Sequence, residues 1–468
     1  MVFSSLEFLY LYLPFCFLIY FLIPAKRLAL RNAVLFFVSL IFYGWSEPIY
    51  IFIMLFSTVV DYFCGYNVSK HLDESPKKAK LYLIASISIN LSLLFFFKYY
   101  DFFADNISKI PIFSFVKPLG LTLPVGISFY TFQTMSYTLD IYFRKAKVQK
   151  NIITFGSYVT MFPQLIAGPI VRYSDVDDEL RQRAHSFVNA AKGVRRFVCG
   201  LAKKVLLANT AGTMYELMTE TVSSTPNFVA AWLGIVFFAF QIYFDFSGYS
   251  DMAIGLGYIL GFNFPENFNY PYISKSITEF WRRWHITLST WFREYLYIPL
   301  GGNRKGLGRT CLNLFIVWFL TGFWHGASWN FVIWGLYFCL LLIAEKLFLK
   351  RLLERLPVFL SHLYSLFFIL IGWFIFISCD LPSPFSYLSA MFSSPFVGGF
   401  TLYDLLRTLP FIVILCIAAT PLPKKLWSRL ENKKAFKLVL CFILPLVLLL
   451  CTAYLVDSSY NPFLYFRF

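Results

Sequence analysis

Two histidines are the residues of this chain best suited to chemistry. His285 and His325 are two of only five histidines in 468 residues, and His325 lies in an apolar and aromatic run, residues 318–334. An ionisable group at membrane depth is costly, so it usually faces a protein interior or a water-filled path and marks function. A neutral imidazole, with a pKa near ~6.5, can accept a proton from a hydroxyl group and return it. His325 is therefore a candidate general base, the alternative being a structural histidine on an apolar face. Helical spacing predicts that Thr321, Ser328 and Trp329 lie on the same face.

The segment around His285 contains a regular pattern of polar residues. At 100° per residue, one helix would place Glu279, Arg282, His285, Ser289 and Arg293 within about 120° of one another. Such a stripe predicts a wet, cationic face that lines a reaction chamber or the path of an anionic ligand. The alternative is an interfacial helix whose arginines reach the lipid head groups while its tryptophans anchor it.

A basic, glycine-rich segment, YIPLGGNRKG, follows this stripe. Arginine binds phosphate in a bidentate manner. Arg304, Lys305 and Arg309 could therefore hold phosphates. The alternative is an ordinary positively charged cytoplasmic loop, which suits Lys305 and Arg309 better than Arg304.

Two acids interrupt the apolar stretch 228–264, in the segment QIYFDFSGYSDMAIG. Asp245 and Asp251 are candidates for orienting a histidine or lining a polar water path, with Ser289 as a further supporting polar residue. The alternative, two buried acids paired with arginine or backbone donors, is at least as well supported.

The composition identifies the elements that must position these residues as membrane helices. Only 14% of the residues are charged, whereas soluble proteins contain about 25%. A helix needs about 20 apolar residues to cross the hydrocarbon core. The apolar runs predict roughly ten to twelve crossings in one integral membrane domain, residues 1–468. Besides the central stretch 281–330, the predicted runs cover residues 1–24, 32–45, 49–68, 81–97, 124–143, 151–171, 228–264, 331–348, 357–378, 402–420 and 438–456.

Two of these regions carry further expectations. Pro163, Gly168 and Pro169 break the run 151–171, and broken backbone at membrane depth requires protein or a water-lined cavity to satisfy it. The stretch 98–123 between two apolar runs is mixed and contains proline, which predicts a segment along the outer surface.

The charge of +16 has an explanation in the excess of lysine and arginine in cytoplasmic loops. Nucleic acid is therefore not implied. The lysines in 70–80 and the basic run 424–437 predict cytosolic loops, which places both ends of the chain outside. The sequence does not predict a metal site.

Seven motifs, in this order, are similar to the membrane-bound O-acyltransferase superfamily. They are FQTMSYTLDIYFRK, PQLIAGPIVRY, GLAKKVLLAN, YFDFSGYSDMAIG, FWRRWHITLSTWFREYLYIPLGGNR, TGFWHGASWNFVIWG and SYNPFLYFRF. Within the superfamily, the chain most resembles the bacterial alginate and peptidoglycan O-acetyltransferases. D-alanyl transferases of teichoic acid modification are a sister alternative, which the YIPLGGNR element favours less.

The resemblance implies an all-α polytopic membrane protein with a ring of tilted helices and re-entrant segments around a central tunnel. His325 matches the family's catalytic histidine, and His285 matches a second position occupied by histidine or asparagine. Acetyl-coenzyme A is the expected acyl donor, and Arg282, Arg293 and Arg304 are the candidates for binding the phosphates of its nucleotide. An extracytoplasmic polysaccharide or a partner acyl carrier is the expected acceptor, with the tail 457–468 as the expected contact. The expected location is the bacterial inner membrane. A transporter and a non-catalytic assembly subunit of a polysaccharide machine are the competing classes. A transporter would need charges along several helices, whereas the intramembrane charges are concentrated in two stretches. An assembly subunit has no use for a histidine at membrane depth.

Overall fold

The computed structural model describes residues 1–396, 402–457 and 463–464, and all regular secondary structure in these residues is helical. The helices are α1 Phe8–Leu22, α2 Leu28–Gly44, α3 Ile51–His71, α4 Pro76–Ile107, α5 Ile127–Tyr142, α6 Ile152–Thr160, α7 Tyr173–Arg181, α8 Phe187–Ala202, α9 Asn209–Ser224, α10 Phe228–Leu260, α11 Ile277–Arg283, α12 Ile286–Phe292, α13 Gly306–His325, α14 Trp329–Leu353, α15 Val358–Ile377, α16 Pro384–Ser393, α17 Leu402–Ala418, α18 Leu422–Leu430 and α19 Lys434–Asp457. Several contain or adjoin π-helical turns, for example Lys203–Ala208 between α8 and α9 and Arg293–Tyr297 after α12.

Many of these helices are membrane spans by length and composition. Within the described ranges, seven helices are long and apolar enough to cross a bilayer, namely α3, α4, α10, α13, α14, α15 and α19. Helices α17 and α18 form a further candidate span with a bend of 63°, and α1 and α2 are shorter apolar helices. The prediction of an all-α, polytopic membrane protein is therefore confirmed.

The described chain forms two compact units. The first contains Met1–Gly200 and Tyr249–Glu266, and the second contains Leu201–Gly248 and Asn267–Leu464. Both candidate histidines belong to the second unit. The single membrane domain expected for residues 1–468 stays a prediction.

In the first unit, the predicted break after α6 is present. The helix ends at Thr160, and a single turn, Phe162–Leu165, follows before the chain becomes extended. Side chains of the protein satisfy the freed backbone: Gln164 Nε2 donates to Tyr158 O at 2.7 Å, and Ser39 Oγ accepts from Phe162 N at 3.1 Å. Protein groups thus satisfy part of the broken backbone, as expected, whereas the depth of this segment in the membrane stays a prediction.

The predicted end of the fourth apolar run at residue 97 was wrong, whereas the outer location of residues 98–123 stays a prediction. Helix α4 continues through Lys98 and ends only at Ile107. Lys98 Nζ donates to Ser128 Oγ at 3.1 Å, so the ammonium group is bound by a polar side chain and does not end the helix. A charge within an apolar run is therefore a poor boundary signal where another helix supplies a hydrogen-bond partner.

In the second unit, α13 and α14 form a hairpin whose helices cross at two glycines. A methyl group on Gly322 would overlap the carbonyl oxygen of Phe331 on α14, and one on Gly335 would overlap the carbonyl oxygen of Trp318 on α13. Small residues allow membrane helices to approach this closely. The crossing lies one turn before His325 and so determines where the end of α13 is held.

Candidate active site

The polypeptide around His285 is not one continuous helix. Helix α11 begins at Ile277, where Ser276 Oγ accepts from Glu279 N at 3.0 Å, and ends at Arg283. Trp284 is extended, and His285 takes a left-handed conformation with φ 43° and ψ 55° before α12 begins. The prediction of a single polar stripe was wrong. It assumed one continuous helix, and this break interrupts the helix between Arg282 and Ser289.

The members of the predicted stripe therefore lie in different environments. His285 is buried, whereas Arg282 and Arg293 are exposed. Ser289 Oγ donates to the backbone oxygen of Trp281 at 3.4 Å, so its hydroxyl has a structural partner within this segment. Glu279 pairs with Arg283, not with a member of the stripe, at 2.9 Å.

A buried amide holds the ring of His285. Asn267 Oδ1 lies 3.0 Å from His285 Nδ1, and the backbone oxygen of Asn267 accepts from Ile286 N at 2.9 Å. The ring of Phe246 packs edge-on against the imidazole, with 4.7 Å between centroids. His285 is only 1% exposed and lies outside the spanning helices, and this burial lowers its pKa to about 3, so the imidazole is neutral.

His325 is the last residue of α13. Gly326 is extended and α14 begins at Trp329, so Ser328 and Trp329 do not continue the helical face that was predicted to contain His325. That prediction was wrong because the segment turns directly after the histidine. His325 is 3% exposed, and its ring contacts those of Trp334 at 4.9 Å and Phe376 at 5.7 Å.

Trp324 brings the two histidines into one aromatic cluster. Its ring centroid lies 6.1 Å from that of His285 and 5.1 Å from that of His325. Three buried indole N–H groups around the cluster have no hydrogen-bond acceptor in the described part of the chain: those of Trp281, Trp334 and Trp373. The site therefore combines two imidazoles with unused donors in a region that the protein shields from water.

The predicted donor arginines lie at the surface of this unit. Arg282 and Arg304 are exposed and have no ion pair with the described residues, whereas Arg293 pairs with Glu294 at 2.9 Å. The loop that contains Arg304 is anchored, because Asn313 Nδ2 donates to Gly302 O at 3.0 Å and Lys346 Nζ donates to Asn303 Oδ1 at 3.2 Å. No direct contact among the three arginines joins them into one cluster.

Both acids on α10 are paired, in agreement with the alternative given for them. In the first unit, Asp251 binds Arg196 at 2.8 Å. In the second unit, Asp245 binds Lys204 at 2.6 Å and accepts from the backbone N–H of Leu464 at 2.7 Å. These pairings stabilise helices and chain segments, and a role of either acid in orienting a histidine stays a prediction.

The tail predicted to contact a partner is described only at residues 457, 463 and 464. Phe463 and Leu464 are buried, and the ring of Phe463 lies 5.5 Å from that of Phe246. These two residues pack within the second unit. The rest of the predicted docking segment lies outside the described residues.

Sequence reasoning missed two residues that position the site. Asn267 lies 18 positions before His285, too far for a helical pattern to connect them. Glu345, on α14, binds the start of α11: its carboxylate accepts from Ile277 N at 2.6 Å and from Thr278 N at 2.8 Å. Helix N-termini attract carboxylates, but nothing in the sequence connects Glu345 with the start of α11, 68 positions before it.

In the ranges that the structure describes, no group of three or more histidine, cysteine, aspartate or glutamate side chains is placed to hold a metal ion.

Comparison with known proteins places these residues in a family. Residues 143–381, which include both histidines and all three arginines, match the model of the membrane-bound O-acyltransferase family. The chain is 40% identical over 408 residues to a probable alginate O-acetylase from Azotobacter vinelandii, covering 86% of this chain and 80% of that protein. It is 35% identical over 423 residues to a peptidoglycan O-acetyltransferase from Helicobacter pylori, with coverages of 84% and 80%. A teichoic acid D-alanyltransferase from Bacillus subtilis is 30% identical over 247 residues, which is 50% of this chain and 61% of that protein.

The two O-acetyltransferases thus match most of the chain, whereas the D-alanyltransferase matches half of it. The first two matches extend over most of the chain, and the seven motifs are likewise spread over most of it. The chain belongs to the membrane-bound O-acyltransferase family and is an O-acyltransferase of the acetyltransferase kind.

Proposed function

We propose that this protein transfers an acetyl group from acetyl-coenzyme A, on the cytosolic side of the bacterial inner membrane, to a hydroxyl group on the opposite side. The acceptor is an extracytoplasmic polysaccharide or a partner acyl carrier that serves one. The observation that carries the proposal is the pair of buried histidines, His285 and His325, in contact with the same tryptophan.

The chemistry needs a proton acceptor and a shielded chamber. The hydroxyl oxygen bonds to the acyl carbon while the carbon–sulfur bond breaks, and the hydroxyl proton moves to His325 and then to the leaving thiolate. A neutral imidazole suits both proton transfers. Exclusion of bulk water by the surrounding rings protects the thioester from hydrolysis.

The indole N–H groups support the same reaction. Negative charge develops on the acyl oxygen in the transition state, and donors already fixed in a dry site stabilise it strongly. Trp334 is the indole that contacts His325, and its N–H has no acceptor among the residues described. The cluster therefore offers an acceptor for the proton and a donor for the carbonyl oxygen.

The exposed arginines support a nucleotide donor. Arg282 and Arg304 have no ion pair with the described residues, so their guanidinium groups are available for phosphate. Arginine forms strong charge-assisted hydrogen bonds with phosphate. A donor with a nucleotide head and a long thioester arm fits a surface phosphate site and a buried reaction centre.

The test is the rate of thiol release and O-acetylation by the purified protein with acetyl-coenzyme A and alginate oligosaccharides. We expect His325→Ala to lower the rate by about 10²-fold to 10⁴-fold, the usual contribution of a positioned proton acceptor. His71→Ala is the matched control, because His71 lies at the end of α3 and packs on Tyr82, in the other unit. A His325→Ala protein that unfolds at the wild-type temperature and retains the wild-type rate would exclude His325 from the reaction.

A further inference from the structure

The second ring nitrogen of His285 is a buried atom with no assigned partner. His285 Nε2 has no hydrogen-bond partner within the described ranges, although Nδ1 lies 3.0 Å from Asn267 Oδ1. Buried polar atoms are almost always hydrogen-bonded, and one that is not indicates a missing ligand or water. The chemistry of that missing partner follows from the proton on the ring.

Thr287 determines which atom of the Asn267 amide faces His285. The backbone N–H of Thr287 lies 3.4 Å from this atom and its hydroxyl lies 2.9 Å away. A backbone N–H can only donate, so the shared atom is the amide oxygen. His285 Nδ1 must then be the protonated nitrogen, because an oxygen acceptor can bind it only through a hydrogen.

The neutral imidazole consequently has its lone pair on Nε2. The rings packed against it are those of Phe246, Phe268 and Trp324, none of which titrates. None of them provides a strong hydrogen-bond donor for Nε2 in the contacts described. Any ligand that binds this nitrogen must therefore bring a hydrogen.

Asn267 also holds the backbone on which the ring depends. Its carbonyl accepts from Ile286 N at 2.9 Å, and Asn269 N donates to Arg283 O at 2.9 Å. The segment 267–269 thus binds the chain on both sides of the left-handed His285. Such a conformation is strained in a residue other than glycine and persists only when its surroundings enforce it.

We propose that Asn267 is a positioning residue that fixes His285 Nε2 as a hydrogen-bond acceptor for a hydroxyl group of the acyl acceptor. This inference rests on the proposed function. The reacting end of the donor offers only a carbonyl oxygen and a sulfur, which carry no hydrogen. A sugar carries neighbouring hydroxyl groups, so one donates to His285 while the next gives its proton to His325.

Asn267→Leu tests the proposal against the matched control Asn269→Leu. Asn269 belongs to the same segment, but its side chain is exposed and only its backbone holds Arg283. We expect Asn267→Leu to raise the KM for alginate oligosaccharides at least tenfold and to leave the KM for acetyl-coenzyme A within twofold. Asn269→Leu should change neither. A rise confined to the KM for acetyl-coenzyme A, or no rise at all, would refute the proposal.

Asn267→Asp provides a second test of the proposal if the Asn267→Leu variant does not fold. The carboxylate still accepts from Nδ1–H, but its charge raises the pKa of His285. Below that raised pKa, Nε2 carries a proton and cannot accept a hydrogen bond. The KM for the oligosaccharide should therefore rise as the pH falls and return towards the wild-type value at alkaline pH, whereas the wild-type KM stays flat. A parallel pH profile in the two proteins would contradict the assigned role.

A spectroscopic readout separates this inference from the proposed function. In protein labelled with ¹⁵N-histidine, the resonances lost in His285→Gln identify this ring. We expect a neutral ring with the proton on Nδ1, and a shift of Nε2 on addition of alginate oligosaccharide but not of acetyl-coenzyme A. This result requires no turnover, so it supports the inference even if acetyl-coenzyme A is not the donor. A proton on Nε2, or a response to acetyl-coenzyme A alone, would overturn it.

Discussion

At the scale of single residues, we propose different roles for the exposed arginines and the buried histidines. Arg282 and Arg304 face solvent without an ion pair in the described chain, whereas His285 and His325 are shielded by rings. Groups that meet the donor's nucleotide make similar contacts in the ground state and in the transition state. In the proposed reaction, the histidines of the cluster meet the atoms whose bonds change.

Kinetics of the arginine variants test this division. Arg282→Gln and Arg304→Gln should each raise the KM for acetyl-coenzyme A by roughly tenfold with little change in kcat, because uniform binding affects KM. The effect should be smaller at high salt, which screens exposed charges. We expect a smaller rise in the KM for acetyl-coenzyme A from Arg293→Gln, since Arg293 already pairs with Glu294. Arg351→Gln, another exposed arginine, is the control.

Steady-state measurements at low and high salt distinguish the outcomes. A loss confined to kcat in the arginine variants would assign them to the reaction centre and not to donor binding. His285→Ala should instead lower kcat and leave the KM for acetyl-coenzyme A unchanged. Salt should not alter this effect.

The two histidines could be selected from the sequence because the residue type is rare and its chemistry is specific, and the structure places both against Trp324. Their catalytic role stays a prediction. Asn267 could not be selected, because nothing in the sequence shows that His285 adopts a left-handed conformation or which side chain completes it. The error about the polar stripe has the same origin. Periodicity describes a helix that continues, and α11 stops two residues before His285.

At the scale of helices, the glycine crossing of α13 and α14 determines the position of His325. Gly322 approaches the backbone of α14 so closely that a side chain would force the two helices apart. Since interiors are close-packed, a displacement at this crossing is transmitted to the end of α13. The histidine lies one turn beyond the contact.

Gly322→Ala and Gly308→Ala make a matched pair on α13. Gly322→Ala should destabilise the protein by about 1–3 kcal/mol, the usual cost of overpacking, and should lower the rate of acyl transfer. Gly308 has open space around it, so alanine there should leave stability unchanged or increase it through better helix propensity. Thermal unfolding in detergent and the transfer assay measure both effects. Equal stability of the two variants would mean that the crossing tolerates expansion.

Most long apolar helices were predictable, because about 20 apolar residues have few other uses in a membrane protein. The hydrophobic pattern did not predict α16, which is short, or the continuation of α4 through Lys98. Both depend on partners from other helices. Length and polarity describe what a segment contains, whereas packing determines where it ends.

At the scale of the whole molecule, the buried ion pair of Lys204 and Asp245 connects distant parts of the chain. The two side chains are 5% and 2% exposed, and Asp245 also binds the backbone of Leu464. One carboxylate thus stabilises α10, the π-helical turn that contains Lys204 and the segment at 463–464. Phe463 in that segment packs on Phe246, which contacts His285.

Removal of the charge of Lys204 alone should therefore destabilise the protein more than removal of the charges of both Lys204 and Asp245. Lys204→Met leaves an uncompensated buried carboxylate and should destabilise the protein by about 3–5 kcal/mol. Adding Asp245→Asn should recover much of this loss, because the amide oxygen still accepts from Leu464 N without a charge. Thermal unfolding of the single and double variants measures the difference. A double variant that is less stable than Lys204→Met would show that the carboxylate has a further cation in the folded protein.

The same carboxylate has a consequence for biosynthesis. Asp245 and Leu464 are 219 positions apart, so at roughly 5–20 residues per second the acid is synthesised about 10–40 s before the amide that binds it. Lys204 precedes Asp245 in the chain, and its ammonium group is already present when the acid emerges. The order of synthesis therefore supplies the neutralising cation before the buried acid, and the backbone donor arrives last.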